Sequence, residues 1–210
     1  FKQVLRQGGG HGLKPVKVEL ADIAVLQYTG GTTGVAKGAM LTHSNLVANM
    51  QQVHACLSQQ GEDGQPLMKE GQEIMIAPLP LYHIYAFTAN CMCMMVNGNH
   101  NILISNPRDI SGFIKELKKW RFSALLGLNT LFVALMQNAE FRKLDFSSLK
   151  RTLAGGMAMQ VKVAEDWEKL TGCAVCEGFG MTETSPVVTV NPLSAIRIGT
   201  IGHNVVDRRH

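Results

Sequence analysis

Short apolar runs and helix-spaced runs take turns along this chain, and that alternation limits the fold more than any other feature of the sequence. Ile23-Ala24-Val25-Leu26-Gln27-Tyr28 reads as a buried strand that stops at Thr29 and Gly30. After a glycine-rich loop, Leu46, Val47, Met50, Val53 and Leu57 recur at helical spacing, with Thr42 or Ser44 available as the N-cap. Residues 74–77 form the next strand, residues 78–80 a rigid proline turn, and an apolar helix begins near Tyr85. Further strands are expected at 102–104, 122–126, 150–154 and 174–177, and helices at 130–139 and 161–170. A helix between the first two of these strands opens on Asn106 as cap, Pro107 at the first helical position and Asp109 in the first turn. Its apolar face is Ile110, Phe113, Ile114 and Leu117, while Lys115, Glu116, Lys118 and Lys119 face solvent. Repeated strand-then-helix units predict an α/β fold, a mostly parallel sheet flanked by helices.

Composition narrows the function more than the fold. With 46% hydrophobic residues among 210, the chain has the material for a core. The net charge is only +4, and no Lys/Arg block alternates with aromatics, so no nucleic-acid partner is expected. The longest apolar stretch, 86–96, is about half of the ~20 residues a membrane-spanning helix needs. Five cysteines, an odd number, without a secretory leader point to a reducing cytoplasm. Cys173 and Cys176 sit in a strand-like run and Cys91 and Cys93 in a helix-like one, at spacings that suit packing rather than metal or disulfide chemistry. The polar stretch 59–72, with three glycines and a proline, is expected to be a mobile surface loop. The amino end, Phe1-Lys2-Gln3, reads as a chain entered mid-protein.

In open parallel sheets, ligands gather beyond the carboxyl ends of the strands. Three glycine-bearing loops follow strands directly: Thr29-Gly30-Gly31-Thr32-Thr33-Gly34-Val35-Ala36-Lys37-Gly38, then Gly155-Gly156-Met157, then Gly178-Phe179-Gly180-Met181-Thr182-Glu183. All three are expected to open on one sheet edge and to meet around a nucleotide. In the first, glycines let the backbone aim N–H groups at phosphate oxygens, threonine hydroxyls add donors, and Lys37 brings a cation. It is not a Walker A loop, because Ala36 and Gly38 stand where Gly and Ser or Thr are required. The third is not a dinucleotide fingerprint, since Glu183 occupies the place of the third glycine. Phe179 there offers an apolar plate for a base, Thr182 a hydroxyl, and Glu183 a hard oxygen ligand for Mg²⁺. His83, alone in an apolar loop, reads on residue type as a packing histidine.

Residues 28–38, YTGGTTGVAKG, resemble the phosphate-loop signature of the acyl- and aryl-adenylate-forming superfamily, and residues 178–184, GFGMTET, are similar to its second signature. The likeness runs from about Asp22 to Gly202. Gly30 replaces a more usual Ser and Ala36 a more usual Pro, and the first exchange removes one phosphate donor. Together with LPLYHIYAF (79–87), SNPRDI (105–110) and LDFSSL (144–149), these choices look most like bacterial long-chain fatty acid–CoA ligases.

The resemblance implies attack of a fatty carboxylate on the α-phosphate of ATP, giving acyl-adenylate and pyrophosphate, followed by displacement of AMP by the thiol of CoA. It implies that Thr29, Gly31, Thr32, Thr33, Gly34 and Lys37 hold the β- and γ-phosphates, with Gly30 in the same cofactor-binding loop. Gly155, Gly156 and Met157 would line the adenine pocket, with Phe179 against the base and Gly178, Gly180 and Met181 in the same loop. Thr182 would touch the α-phosphate, Glu183 would hold Mg²⁺, and His83 would lie near the reacting carboxylate, so that Lys37, His83, Thr182 and Glu183 form the catalytic set. Residues 127–130 would edge an acyl tunnel. No general base is needed, because a carboxylate is already ionised near neutral pH.

The family's ribose-binding aspartate and its mobile lid domain with a catalytic lysine cannot be mapped here. Residues 1–210 are therefore expected to be the central part of the AMP-binding domain, unable to exchange pyrophosphate with oleate and ATP. Rival readings are another acid ligase (aryl-CoA ligase or peptide-synthetase adenylation domain), a non-catalytic ATP-binding module and an unrelated P-loop hydrolase. A fatty substrate implies transient contact with the inner leaflet of the membrane; oligomeric state is not legible.

Overall fold

A computed structural model describes residues 1–205 apart from 13, 30–35, 59, 61–63 and 65. After a short exposed helix α1 (Lys2–Gly8), strands β1 (Ile23–Thr29) and β2 (Lys37–Thr42) pair antiparallel, with Thr29 opposite Lys37. Helix α2 (His43–Leu57) starts on a capping box: the Thr42 hydroxyl accepts from Asn45 N–H, and Asn45 Oδ1 accepts from Thr42 N–H. Then follow β3 (Ile74–Ala77), α3 (Ile84–Ala86) continuing into a π-helical segment (Phe87–Met94), β4 (His100–Leu103), α4 (Ile110–Leu117), β5 (Ala124–Gly127) and α5 (Asn129–Gln137). The chain continues through a 3₁₀ turn (Phe141–Lys143), β6 (Arg151–Ala154), α6 (Val161–Thr171), β7 (Val175–Gly180), a second 3₁₀ turn (Thr182–Thr184), β8 (Val187–Val190) and β9 (His203–Asn204).

The main sheet has the order β4-β3-β5-β6-β7-β8-β9, parallel from β4 to β7 and antiparallel at β7/β8 and β8/β9. Side chains that alternate along its strands build two separate cores. Ile76 and Leu125 face a large cluster with Phe113, Phe132 and Trp167 from α4, α5 and α6, where the Phe132 and Trp167 rings lie 4.6 Å apart. Their neighbours Met75 and Ala124 face the opposite side, against Leu57 of α2 and Met94 of the π-helical segment. The sheet is thus covered on both faces, and the space between its second face and the α2/π-helix layer is where a ligand fits.

The expected α/β architecture holds, with local corrections. The strand at Ile23 is outside the parallel sheet: β2, which the sequence pattern concealed, turns it into an antiparallel pair. Two of the three glycine loops therefore follow strands of the main sheet, and the first joins a separate hairpin. Asp109, not Asn106, caps α4, accepting from Gly112 N–H at 2.9 Å, because the Asn106 side chain is taken by Arg108 N–H. The run after Tyr85 is π-helical rather than regular; Asn101 Nδ2 donates to the Asn90 carbonyl at 3.0 Å, a side chain intruding on the helix ladder. Part of the stretch 59–72 lies outside the described residues, but Met68 within it is buried in the second core, so this is not only a surface loop.

Candidate functional site

A cavity of about 260 Å³ lies between the second sheet face and the α2/π-helix layer. Val53 and Leu57 of α2, Cys93 and Met94 of the π-helical segment, and Met75 and Leu153 of the sheet form its wall. Among the described residues, no Asp, Glu, Lys or Arg lines it. Its thiols do not supply charge either: burial pushes Cys93 and Cys176 up to about 12, so both stay protonated at neutral pH. Burial, with the Cys176 thiol adding to it, also raises the Tyr85 phenol above its ordinary value. The interior can accept an uncharged, apolar group and would reject an ionised one.

Polar and glycine residues also line the cavity: Gly155 and Gly156 after β6, Gly178, Phe179 and Gly180 of β7, Met181 and Thr182 beyond it, and His83. Gly155 packs against the Tyr85 ring, where a Cβ would sit 3.1 Å from Cζ, so a side chain there would intrude on Tyr85. At Gly180 a Cβ would collide with the Pro186 carbonyl, because β7 and β8 are irregularly registered at Phe179/Gly180 and approach closely. Phe179 and Met181, both exposed, give the cavity an apolar rim for a flat ring; Met157 is exposed too but is not among the lining residues. His83 caps α3, its Nδ1 accepting from Tyr85 N–H at 3.2 Å, which leaves the proton of the neutral ring on Nε2.

The 3₁₀ turn carrying Thr182 and Glu183 packs against β2, the strand that begins at Lys37. The second signature segment therefore meets the strand that follows the first loop, by a hairpin docking on the sheet rather than by a shared sheet edge. Thr29 Oγ1 donates to the Lys37 carbonyl at 3.3 Å, closing the base of the first loop. Gly30, Gly31, Thr32, Thr33 and Gly34 lie outside the described residues. Lys37 and Glu183 are exposed, and neither forms an ion pair among the described residues. Glu183, on a turn that packs against β2, offers an exposed carboxylate of the kind Mg²⁺ takes together with phosphate oxygens and water.

None of residues 127–130 is among those that line the cavity, although Leu128 packs behind Gly156, which does. Gly127 is covered by the Phe132 ring, and Asn129 Oδ1 accepts from Gln160 N–H at 3.0 Å, bracing the 155–160 loop from behind. Three supporting residues escaped sequence reasoning. Buried Glu177, immediately before Gly178, accepts from Met159 N–H at 2.9 Å and ties the second loop to the third. Tyr85 lines the cavity, and its place two residues after His83 was the only signal.

Asn49 is the third. Its amide mimics a strand partner, Nδ2 donating to the Val187 carbonyl at 2.8 Å while Val187 N–H donates to Oδ1 at 3.1 Å. This clamps α2, one cavity wall, onto β8. Asn49→Leu would remove both bonds from the part-buried main-chain groups of Val187, and is expected to destabilise the chain by about 1–3 kcal/mol. Urea unfolding should read that loss, and hydrogen exchange should report a faster Val187 amide; unchanged exchange there would dismiss the clamp.

Comparisons with known proteins give the family and the fold. The model of the family described as AMP-binding enzyme matches residues 2–209. A long-chain-fatty-acid–CoA ligase of Escherichia coli O6:H1 is 54% identical over 194 residues, covering 91% of this chain and 33% of that protein. The ligase of the same name from Haemophilus influenzae is 47% identical over 205 residues, covering 96% of this chain and 35% of the relative. The chain thus spans about a third of the length of the curated relatives it matches. Among solved structures, an anthranilate CoA ligase in complex with anthranoyl-AMP superposes with a TM-score of 0.80 at 20% identity, over 92% of this chain and 36% of that one, a likeness of fold.

Proposed function

Because the chain belongs to the AMP-binding enzyme family, we propose that it forms the nucleotide- and acyl-binding part of an AMP-forming ligase that joins long-chain fatty acids to CoA. The observation that carries this is the uncharged cavity lined in part by the Gly155-Gly156 and 178–182 loops. A carboxylate at His83 would have its alkyl chain in an apolar slot and its oxygen beside the nucleotide loops. The high identity to fatty acid–CoA ligases supports the same substrate class. Residues 1–210 correspond in this proposal to the central part of the large domain, and the complete reaction belongs to the longer protein.

In the first step a carboxylate oxygen attacks the α-phosphorus, forming the acyl-adenylate as the bond to pyrophosphate breaks. In the second, the CoA sulfur attacks the acyl carbon and AMP departs. The residues here act by managing charge. Lys37 and the main-chain amides of the first loop stabilise charge building on pyrophosphate, and Thr182 donates to an α-phosphate oxygen. Phe179 stacks on adenine beside Gly155 and Gly156. Glu183 would hold Mg²⁺, whose chemistry is to polarise the phosphoryl oxygens. The cavity excludes water from the carboxylate's alkyl end, and His83 Nε2–H can hydrogen-bond the carboxylate. A fatty substrate drawn from a bilayer would make membrane contact transient and peripheral, with the enzyme itself cytoplasmic; no helix among the described residues is long and apolar enough to cross a membrane.

Displacement of a fluorescent fatty acid from this chain tests the proposal. Palmitate is expected to displace it at concentrations where benzoate and free amino acids do not. Equal competition by benzoate would transfer the site to aryl acids, and no competition by any acid would end the acyl interpretation of the cavity.

A further inference from the structure

The hairpin that carries the first glycine loop and the turn that carries His83 are tied by a side chain: Gln27 Nε2 donates to the Tyr82 carbonyl at 2.8 Å. Gln27 lies in β1, opposite Ala39 of β2 and two residues before Thr29. Val25, Gln27 and Thr29 share one face of the strand. Along that face Val25 packs against the cluster of Leu41, Leu46 and Ile84, Gln27 reaches Tyr82, and Thr29 closes the base of the loop on the Lys37 carbonyl. On the other side of the bond the turn holds itself in shape. His83 N–H donates to the Pro80 carbonyl at 3.0 Å, the His83 carbonyl accepts from Phe87 N–H at 2.9 Å, and the His83 ring caps α3. Packing of Ile84, the residue after His83, keeps turn and hairpin together without fixing their direction. The Gln27 bond adds the direction, because an amide donor must meet its carbonyl oxygen at a set distance and angle.

We infer that Gln27 is a positioning residue that holds the phosphate loop and His83 in register, so that nucleotide and acid each bind more tightly beside the other than they would without this bond. The inference rests on the adenylate reading of the site and adds to it a coupling between the two substrates. The bond, made or broken, is the element with two states. When it is made, a nucleotide that orders the hairpin also orders Tyr82 and His83, and the acid pays less to order its own donor. When it is broken, each ligand orders only its own segment. Gln27 acts through the main chain of Tyr82 and touches neither ligand.

The test is a binding cycle on this chain. Palmitate displaces a fluorescent fatty acid in the absence and in the presence of saturating Mg²⁺ and α,β-methylene-ATP, whose methylene bridge replaces the bond that adenylation would break. The ratio of the two palmitate affinities is the coupling factor, and nucleotide affinity must change by the same factor when palmitate is present. Gln27→Met, close in shape but without the donor, is expected to lower that factor by roughly two- to tenfold, the worth of one hydrogen bond. Each ligand alone should bind Gln27→Met within about twofold of its affinity for the unaltered chain, since neither touches the side chain. Gln27→Asn keeps the amide but draws it back by one methylene, and should give the same fall. Repulsion between the two anions is common to all three chains and cancels in the comparison. A coupling factor unchanged in both variants overturns the inference while leaving the acid and nucleotide sites intact. So does a variant that weakens palmitate equally with and without nucleotide, which would make Gln27 merely structural. Failure of palmitate to bind the unaltered chain at all would remove the fatty-acid function and this inference together.

Discussion

Arg151→Ala is expected to lower the unfolding free energy of the chain by about 3–5 kcal/mol, because it strands a buried carboxylate. Arg151 and Glu73 are 5% and 3% exposed, and Arg151 Nη2 lies 2.8 Å from Glu73 Oε1. The pair also holds main-chain groups: Arg151 donates to the Leu67 carbonyl, and Glu73 Oε1 accepts from Lys69 N–H at 2.8 Å. Burial pulls the guanidinium below its ordinary value, with the Glu73 carboxylate opposing that shift, as expected of a cation kept in place by its partner. The pair fastens residues 67–73 to β6 and so seats Met68 in the core behind the cavity. Substituting both partners, Arg151→Met with Glu73→Leu, should recover part of the loss but not all of it. The charges disappear together, yet Leu67 C=O and Lys69 N–H remain unpaired, which costs about 1–3 kcal/mol for each such group. Urea unfolding of the three variants provides the check. A loss below about 1 kcal/mol for Arg151→Ala would mean that water reaches the pair and relieves the stranded charge.

That pair illustrates what the sequence could and could not disclose. Arg151 and Glu73 are 78 residues apart, and neither type nor spacing links them. The alternation of strands and helices was legible because each element buries one face or two, and burial leaves a periodic trace. Strand β5, Ala124–Gly127, is buried along its whole length and reads as an unbroken apolar run. Strand β2 left no such trace: Lys37, Gly38 and Met40 are exposed, and only Leu41 is fully buried. Its absence from the sequence pattern is why the first loop was expected on the edge of the main sheet. Loop placement was not legible, because glycine, threonine and a terminal lysine suggest phosphate binding by residue type alone, wherever the fold puts them. The cavity wall was the least legible part. Its lining comes from α2, α3, the π-helical segment and four strands, and residues such as Val53 or Met94 differ in nothing but position from ordinary core residues. Residues 127–130, expected at the edge of an acyl tunnel, pose the same difficulty: a strand end and a helix start can face either layer until the topology is known.

The packing of the Thr182–Thr184 turn against β2 makes a quantitative demand on the proposed nucleotide site. If Lys37 and Glu183 act on one magnesium-bound triphosphate, each should weaken its binding by roughly tenfold to a hundredfold when removed, the usual loss for a charged contact. Lys37→Ala should do so with or without the metal, because the ammonium addresses phosphate oxygens directly. Glu183→Gln should matter with Mg²⁺ present and lose most of its effect in EDTA, since the carboxylate addresses the cation. The double variant should bind more tightly than the product of the single losses, because phosphate groups no longer held by Lys37 also present the metal poorly to Glu183. Calorimetric titration of this chain with ATP, in Mg²⁺ and in EDTA, measures all four species. Strictly multiplicative losses, with the Glu183→Gln effect indifferent to metal, would show that the two exposed charges serve separate ligands, and the adenylate geometry proposed for this fold would not survive that result.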